Sequence, residues 1–246
     1  MRSLSRARRW LRGIAVFVTA GVTFAAAGQA VNDWLDHSHE RHSQPSATSP
    51  APQPGASPMS SSAWQSASSA LASPVRVVPG TKETDGIWLG YPHTLTGAVS
   101  AAAVFTPAIL GTLDPDRAAQ AMRLVADPSF PQGPAQAAEG VTGIRESLGL
   151  PAGGPVPQGY SWAVAPVECQ VRDIETDRVT VLLLMDLTSA VPGAGTITRA
   201  TVFPVAVHWA AADWKILPTP VTSYAQLIAA PGSQQAANLG WLPLTA

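Results

Sequence analysis

The chain has 246 residues, of which 46% are hydrophobic and only 13% charged, and its formal net charge is −1. The charged fraction is about half that of an average soluble domain. From Asp85 onward, twelve acidic residues stand against seven basic ones. Nucleic-acid binding needs a cluster of basic side chains that contact phosphates, so direct nucleic-acid binding is not expected. The single cysteine, Cys169, excludes an intramolecular disulfide and the cysteine of a lipoprotein anchor.

The N-terminus has the pattern of a membrane anchor. Residues 1–12 hold five arginines, and residues 13–31 hold no charge. At about 1.5 Å per residue this apolar segment spans roughly 28 Å as a helix, close to the thickness of a bilayer core. The arginines before it and the acids after it follow the positive-inside rule. The sequence predicts a cytoplasmic tail (1–12) and a single transmembrane helix (13–31) in contact with lipid, with all later residues extracytoplasmic at the cell membrane.

A cleaved signal peptide is the second interpretation of the same segment. Gly28 and Ala30 place small residues at the −3 and −1 positions of a cleavage site. Cleavage after Ala30 would release a secreted protein. The length of the apolar run and Trp34, at the position of an interfacial aromatic residue, favour the anchor.

Residues 32–84 are dominated by serine, proline and alanine, a composition typical of a disordered tether. Near its start, His37, His39 and His42 are candidate metal ligands. Their spacing does not place all three on one face of a helix, and no predicted core fixes their geometry. We therefore interpret them as solvated side chains and predict neither a metal site nor a cofactor.

Residues 85–230 have the patterns of a folded α+β domain. Thr94 or Thr96 caps a predicted helix from about Gly97 to Leu110, which Pro107 is expected to kink or divide. Asp114 followed by Pro115 begins a second predicted helix, which ends near Val125. A third helix is predicted to end near Gly149.

After the loop "PAGGPVPQG" the hydrophobic period changes from that of a helix to that of a strand. Four β-rich runs follow, "YSWAVAPVECQVRDIE", "DRVTVLLLMDLTS", "TITRATVFPVAVHW" and "DWKILP". Cys169 alternates in line with Val167 and Val171, as a core residue does. Pro204 is expected at a sheet edge or a bulge. We predict three helices packed on a curved four-stranded antiparallel sheet, in a helices-first roll, followed by a C-terminal tail at 231–246.

Two stretches carry a resemblance to a known group of proteins, "GYPHTLTGAVSAAAVF" (90–105) and "VAVHWAAADWKIL" (205–217). They resemble exported proteins of high-GC actinobacteria that have a cystatin-like domain and are encoded beside conjugative elements. The layout of basic tail, helix, tether and outer domain is similar to that of bitopic scaffold subunits of type IV secretion channels. The resemblance implies a cystatin-like (nuclear transport factor two-like) roll. It rests on Gly90, Pro92, Thr94, Gly97, Ala98, Val99, Trp209, Asp213 and Trp214.

The sequence leaves two main functional hypotheses open, besides a cell-envelope sensor or exported protein of unrelated role on the same scaffold. The favoured one is a non-enzymatic assembly component of a conjugative transfer or secretion apparatus, which binds other channel or envelope proteins and copies of itself. The alternative is an exported small-molecule binder or isomerase-like protein that uses a pocket in the roll. Such chemistry needs a general base and a donor to the developing oxyanion. The candidate catalytic residues are Asp186, His208 and Tyr160.

Overall fold

The computed structural model describes residues 71, 73–219 and 222–246. The predicted basic tail, the predicted anchor, most of the predicted tether and the three candidate ligands His37, His39 and His42 lie outside these residues. Among the residues described, no helix is long and apolar enough to cross a bilayer.

The described chain begins with strands and ends with a strand. Three short strands come first: β1 (Val75–Arg76), β2 (Lys82–Thr84) and β3 (Ile87–Leu89). Three helices follow: α1 (Leu95–Leu110), α2 (Pro115–Val125) and α3 (Gly133–Ser147). Four strands come next: β4 (Ser161–Arg172), β5 (Arg178–Val191), β6 (Gly195–Ala210) and β7 (Asp213–Ile216). A 3₁₀ turn (Ala225–Leu227), helix α4 (Gln234–Asn238) and strand β8 (Leu242–Thr245) complete the domain.

The predicted fold class, a helices-first cystatin-like roll with four antiparallel strands, is wrong. The main sheet has six strands in the order β1-β8-β4-β5-β6-β7, and three strands precede the first helix. The sheet is mixed, because β1 pairs with β8 in parallel while the other neighbours are antiparallel. The physical reason is a long-range pairing: the C-terminal segment returns to the edge of β4, where it binds the segment that precedes the helices.

The helices begin where the capping residues predict. The Thr94 hydroxyl accepts a hydrogen bond from Gly97 N at 3.0 Å, and this bond caps α1. Asp114 accepts from the backbone N–H groups of Asp116 and Arg117 at the start of α2. Pro115 occupies the first helical position, where its missing N–H costs no bond.

Strand β5 is buried on both faces. Leu183 and Met185 belong to the main core, which α1 and α2 cover. Leu182 and Leu184 point to the opposite face, where they pack with Trp241 of the C-terminal segment. Side chains of this strand therefore alternate between two buried faces, and the C-terminal segment covers the second face.

Candidate functional site

The two stretches that carry the sequence resemblance lie against each other in the fold. Asp213 Oδ1 accepts from the backbone N–H of Tyr91 at 3.1 Å and from that of Trp214 at 2.9 Å. The indole N–H of Trp214 donates to the Pro92 carbonyl at 2.9 Å. Segment 90–97 is therefore bonded directly to the β6–β7 hairpin, and we call this junction the aromatic junction.

Small residues on both sides allow segment 90–97 and the β6–β7 hairpin to approach closely. A side-chain carbon at Gly97 would lie 2.0 Å from the Pro92 carbonyl oxygen, so only glycine fits at this helix start. On the other side, Ala211 and Ala212 have φ angles of 52° and 59°, which form the two-residue turn that brings Trp209 and Trp214 together. These two features therefore permit the close contact between the two segments.

Tyr91 lies under the aromatic junction and is almost entirely buried. Its ring meets Phe105 edge to face, with the ring centroids 5.7 Å apart. Burial, with a smaller effect from the Asp213 carboxylate, raises the pKa of the phenol far above its usual range. In the described part of the chain its hydroxyl has no hydrogen-bond partner. Tyr91 is thus a neutral phenol held in the core.

His93 is on the accessible side of the junction. Its ring stacks on Trp209, with centroids 4.4 Å apart and an interplanar angle of 7°. His93 Nε2 lies 2.9 Å from Asp177 Oδ1, and both side chains are more than a third exposed. This stacked histidine and its carboxylate join the start of α1 to the β4–β5 turn.

A second histidine–aspartate pair lies on β6. His208 Nδ1 is 2.9 Å from Asp127 Oδ2, in the loop after α2. The other oxygen of Asp127 accepts from the backbone N–H and the hydroxyl of Ser129, at 2.8 and 2.6 Å. Burial by itself would raise the pKa of Asp127, but the hydrogen bonds from Ser129 and His208 outweigh it and hold the pKa below its usual value.

These three residues are not arranged as a nucleophilic triad. In a triad the serine hydroxyl donates to the histidine, which then takes its proton. Here Ser129 donates to Asp127 instead, so His208 does not activate the serine oxygen. The arrangement binds the loop after α2 to strand β6, which is a structural role.

The three candidate catalytic residues do not share a site. Strand β5 pairs Asp186 with Ala200 and Arg178 with His208. These rows are eight residues apart on β5, about 26 Å at roughly 3.3 Å per residue. Tyr160 packs in a separate apolar cluster with Ile144, Leu148 and Leu150. A general base and an oxyanion donor must contact one substrate, and these side chains are too far apart to do so.

A cavity beside the main core is small and apolar. Its volume is about 20 Å³, close to the space of one or two water molecules, whereas ligand pockets measure about 300–1,000 Å³. It lies between the helices and β6. Its lining is Thr106, Ile109, Leu110, Met122, Phe130, Phe203, Pro204, Val205, Ile216, Leu217 and Thr219.

Two other polar residues have clear structural roles. Cys169 is fully buried, as its strand alternation predicts, and burial raises the pKa of its thiol to about 12. Arg145 is also fully buried, and sequence reasoning missed it. Its guanidinium donates to the backbone carbonyls of Leu113, Pro151 and Gly153 at 2.6–2.8 Å. Its place at the end of α3 looks in the sequence like that of an ordinary helix-capping cation.

No group of three or more metal-binding side chains occurs within the described ranges 73–219 and 222–246. The candidates His37, His39 and His42 lie outside these ranges.

Taken together, the fold and the site define an α+β domain with a six-stranded mixed sheet, in which segment 90–97 closes on the β6–β7 hairpin. The chain belongs to the family described as a domain of unknown function (DUF8175), which matches residues 24–239. No curated protein and no solved structure matches the chain.

Proposed function

We propose that this protein is a non-enzymatic assembly component that is anchored in a membrane by residues 13–31. Its folded domain stands outside the cytoplasm and acts through contacts with other proteins of a conjugative transfer or secretion apparatus. The basic tail and apolar segment of the sequence support the anchor. The channel assignment depends on the resemblance of the layout and of segments 90–105 and 205–217.

The observation that carries the non-enzymatic proposal is how the domain uses its polar and aromatic side chains. His93, His208 and Trp214 each join separate segments of the chain. Asp127 and Asp213 accept hydrogen bonds from backbone N–H groups and so fix the positions of loops. These contacts hold separate segments of the domain together, which suits a structural subunit.

The path of the chain also suits an anchored module. The backbone N–H of Val77 donates to the Thr245 carbonyl at 2.7 Å, next to the β1–β8 pairing. The predicted tether therefore enters the domain beside its C-terminal strand, at one edge of the sheet. The strand order places β7, with β6 beside it, at the edge of the sheet opposite that entry point.

Membrane topology and partners can be tested on the full chain in its native cells. We expect the protein in the membrane fraction after alkaline extraction, with a C-terminal tag that external protease removes from spheroplasts. After mild solubilisation and cross-linking, the tagged chain should co-purify with channel subunits. Recovery from culture fluid with Val31 as the first residue would contradict the anchor. A membrane-bound chain that captures no channel or envelope protein would contradict the assembly role.

A further inference from the structure

The first half of strand β6 is an open sheet edge. Strand β5 pairs with β6 from Gly195 to His208, whereas β7 pairs only with Val207–Ala210. Residues 195–205 therefore have a β-strand neighbour on one side only.

The backbone groups on this open side can be assigned. The N–H of Trp209 donates to Asp177 O on the β5 side, and the carbonyl of Ala206 accepts from Leu217 N on the β7 side. Because these directions alternate along a strand, Thr196, Thr198 and Ala200 point their N–H and C=O groups away from β5. Within the described residues, none of these backbone groups has a hydrogen-bond partner on that side.

Another segment of the chain covers the C-terminal end of this open edge. The segment that contains Tyr224 and Ile228 buries the side chain of Val202 and partly covers that of Ala200 on one face of the strand. Pro204 has no N–H, so its position on the open side leaves no donor unpaired. The run available for pairing is about residues 195–201, "GTITRAT".

The other edges of the main sheet carry features that hinder pairing. Strand β1 has two residues, and β7 has four, with Lys215 among them and Ala126 bridged to Ile216. The unpaired end of β4 carries Pro166 and a bulge. Short strands, lysine, proline and bulges are the usual devices that block edge-to-edge association. The run 195–201 has β-branched residues and a single charge, Arg199.

We propose that this edge pairs with the same edge of a second copy of the chain. The two strands run antiparallel about a two-fold axis at Thr198. In this register Thr198 faces Thr198, Thr196 faces Ala200, and about six backbone hydrogen bonds form. A two-fold interface of this kind satisfies both open edges at once and needs no other protein. The inference stands whether or not the chain serves a secretion apparatus.

Charge selects this register over its neighbour. An axis at Arg199 would place two guanidinium groups directly opposite each other, which is unfavourable. The axis at Thr198 places Arg199 opposite Ile197 of the second copy. Ile197 is one of the exposed large apolar side chains, at 36% exposure. The aliphatic stem of Arg199 would cover it while the guanidinium stays in water.

A cysteine cross-link tests both the contact and the register. In the proposed pairing the two Cα atoms at residue 198 lie about 5.5 Å apart, within disulfide range. Thr198→Cys in the full chain should form a disulfide dimer under mild oxidation, seen on a non-reducing gel. Thr196→Cys is the matched control, because its counterpart is about 13 Å away along the strand. Cys169 is fully buried and does not compete.

We expect at least about tenfold more cross-linked dimer from Thr198→Cys than from Thr196→Cys. Equal yields, or no dimer from either variant, would overturn the proposal. A second pair of variants does not depend on cysteine. Thr196 is exposed, so substitutions there leave the core unchanged. Thr196→Pro removes an N–H from the open side and spares the bonds to β5, whereas Thr196→Ser keeps it. In sedimentation equilibrium, the dissociation constant of the Thr196→Pro dimer should be about tenfold higher than that of the Thr196→Ser dimer. A monomeric parent chain, or equal dissociation of the two variants, would refute the pairing.

Discussion

Replacing Arg145 should be among the most damaging single changes in the domain. The side chain is fully buried, and its three hydrogen bonds hold the turn before α2 and the loop after α3. In the described part of the chain, no carboxylate lies within ion-pair distance of it. The backbone carbonyls, together with the nearby end of α3, are what stabilise the cation.

The size of the effect follows from these bonds. A hydrogen bond from a charged donor contributes about 1.5–3 kcal/mol. The sum for three is an upper limit, because Pro151 and Gly153 are exposed and water can replace the donors there. For Arg145→Met we expect a loss of about 3 kcal/mol in the free energy of unfolding, which corresponds to about 6–12 °C in Tm for a domain of this size. Arg145→Lys should recover little, because an ammonium cannot reach three carbonyls in a planar fork.

Thermal and urea unfolding of the purified full chain would measure the loss. Arg123→Met is the matched control, since Arg123 is also near a helix C-terminus but is exposed, and we expect it to cost less than about 1 kcal/mol. If Arg145→Met and Arg123→Met unfold within about 0.5 kcal/mol of each other, then the buried guanidinium does not stabilise the two segments, and the reasoning fails.

Three further predictions concern single residues. Gly97→Ala should destabilise the domain because its Cβ would clash with the Pro92 carbonyl. Gly143→Ala on α3 meets nothing within 4 Å and should stabilise the domain by up to about 1 kcal/mol. Urea unfolding of the two variants measures the difference, and equal effects would contradict the contact at Gly97. The folded-state pKa of Asp127 is lowered, so its contribution is complete above the unfolded pKa of about 4 and is lost as the pH falls through the folded value. Asp127→Asn should therefore be less stable at pH 7, and its difference from the parent should shrink below about pH 4 in a pH series of unfolding curves; a constant difference would refute this. Cys169, whose pKa is raised to about 12, should react with a thiol reagent at pH 8 only after unfolding; rapid labelling of the folded chain would show that the site is open.

Much of the local structure was predictable because its causes are local. A hydroxyl or carboxylate that caps a helix acts within three residues, so Thr94 and Asp114 mark the starts of α1 and α2 in the sequence. Alternation along a strand is equally local, and it assigned Cys169 to the core. Pro204 lies on the open side of β6, at a sheet edge as expected, because its ring nitrogen cannot donate to a neighbouring strand.

The β2–β3 hairpin was missed although its signal is present. Asp85 and Gly86 form its turn, with φ angles of 50° and 76°, and an Asp-Gly pair between short β-prone runs is a strong hairpin signal. The hairpin was not predicted because β2 lies within the region that was interpreted as a tether.

The candidate catalytic residues show the limit of a pattern that ignores register. Asp186 and His208 each suit acid–base chemistry by residue type, but the β5–β6 pairing separates them by eight rows. Register along a hairpin depends on where the turn falls and on which faces are buried. A short stretch of sequence does not specify the register of a hairpin.

By itself, the sequence determined the starts of α1 and α2 and the buried faces of the long strands, because propensity, capping and periodicity act over a few residues. Only the tertiary structure decided the order of the sheet, the parallel pairing of β1 with β8 and the closure of Tyr91 on Asp213, 122 residues further along the chain. Strands of two and four residues are too short to show a period, and they form because the rest of the fold brings their backbones together. The role of Arg145 was not predicted for the same reason, because it depends on three backbone carbonyls that only the folded chain brings together.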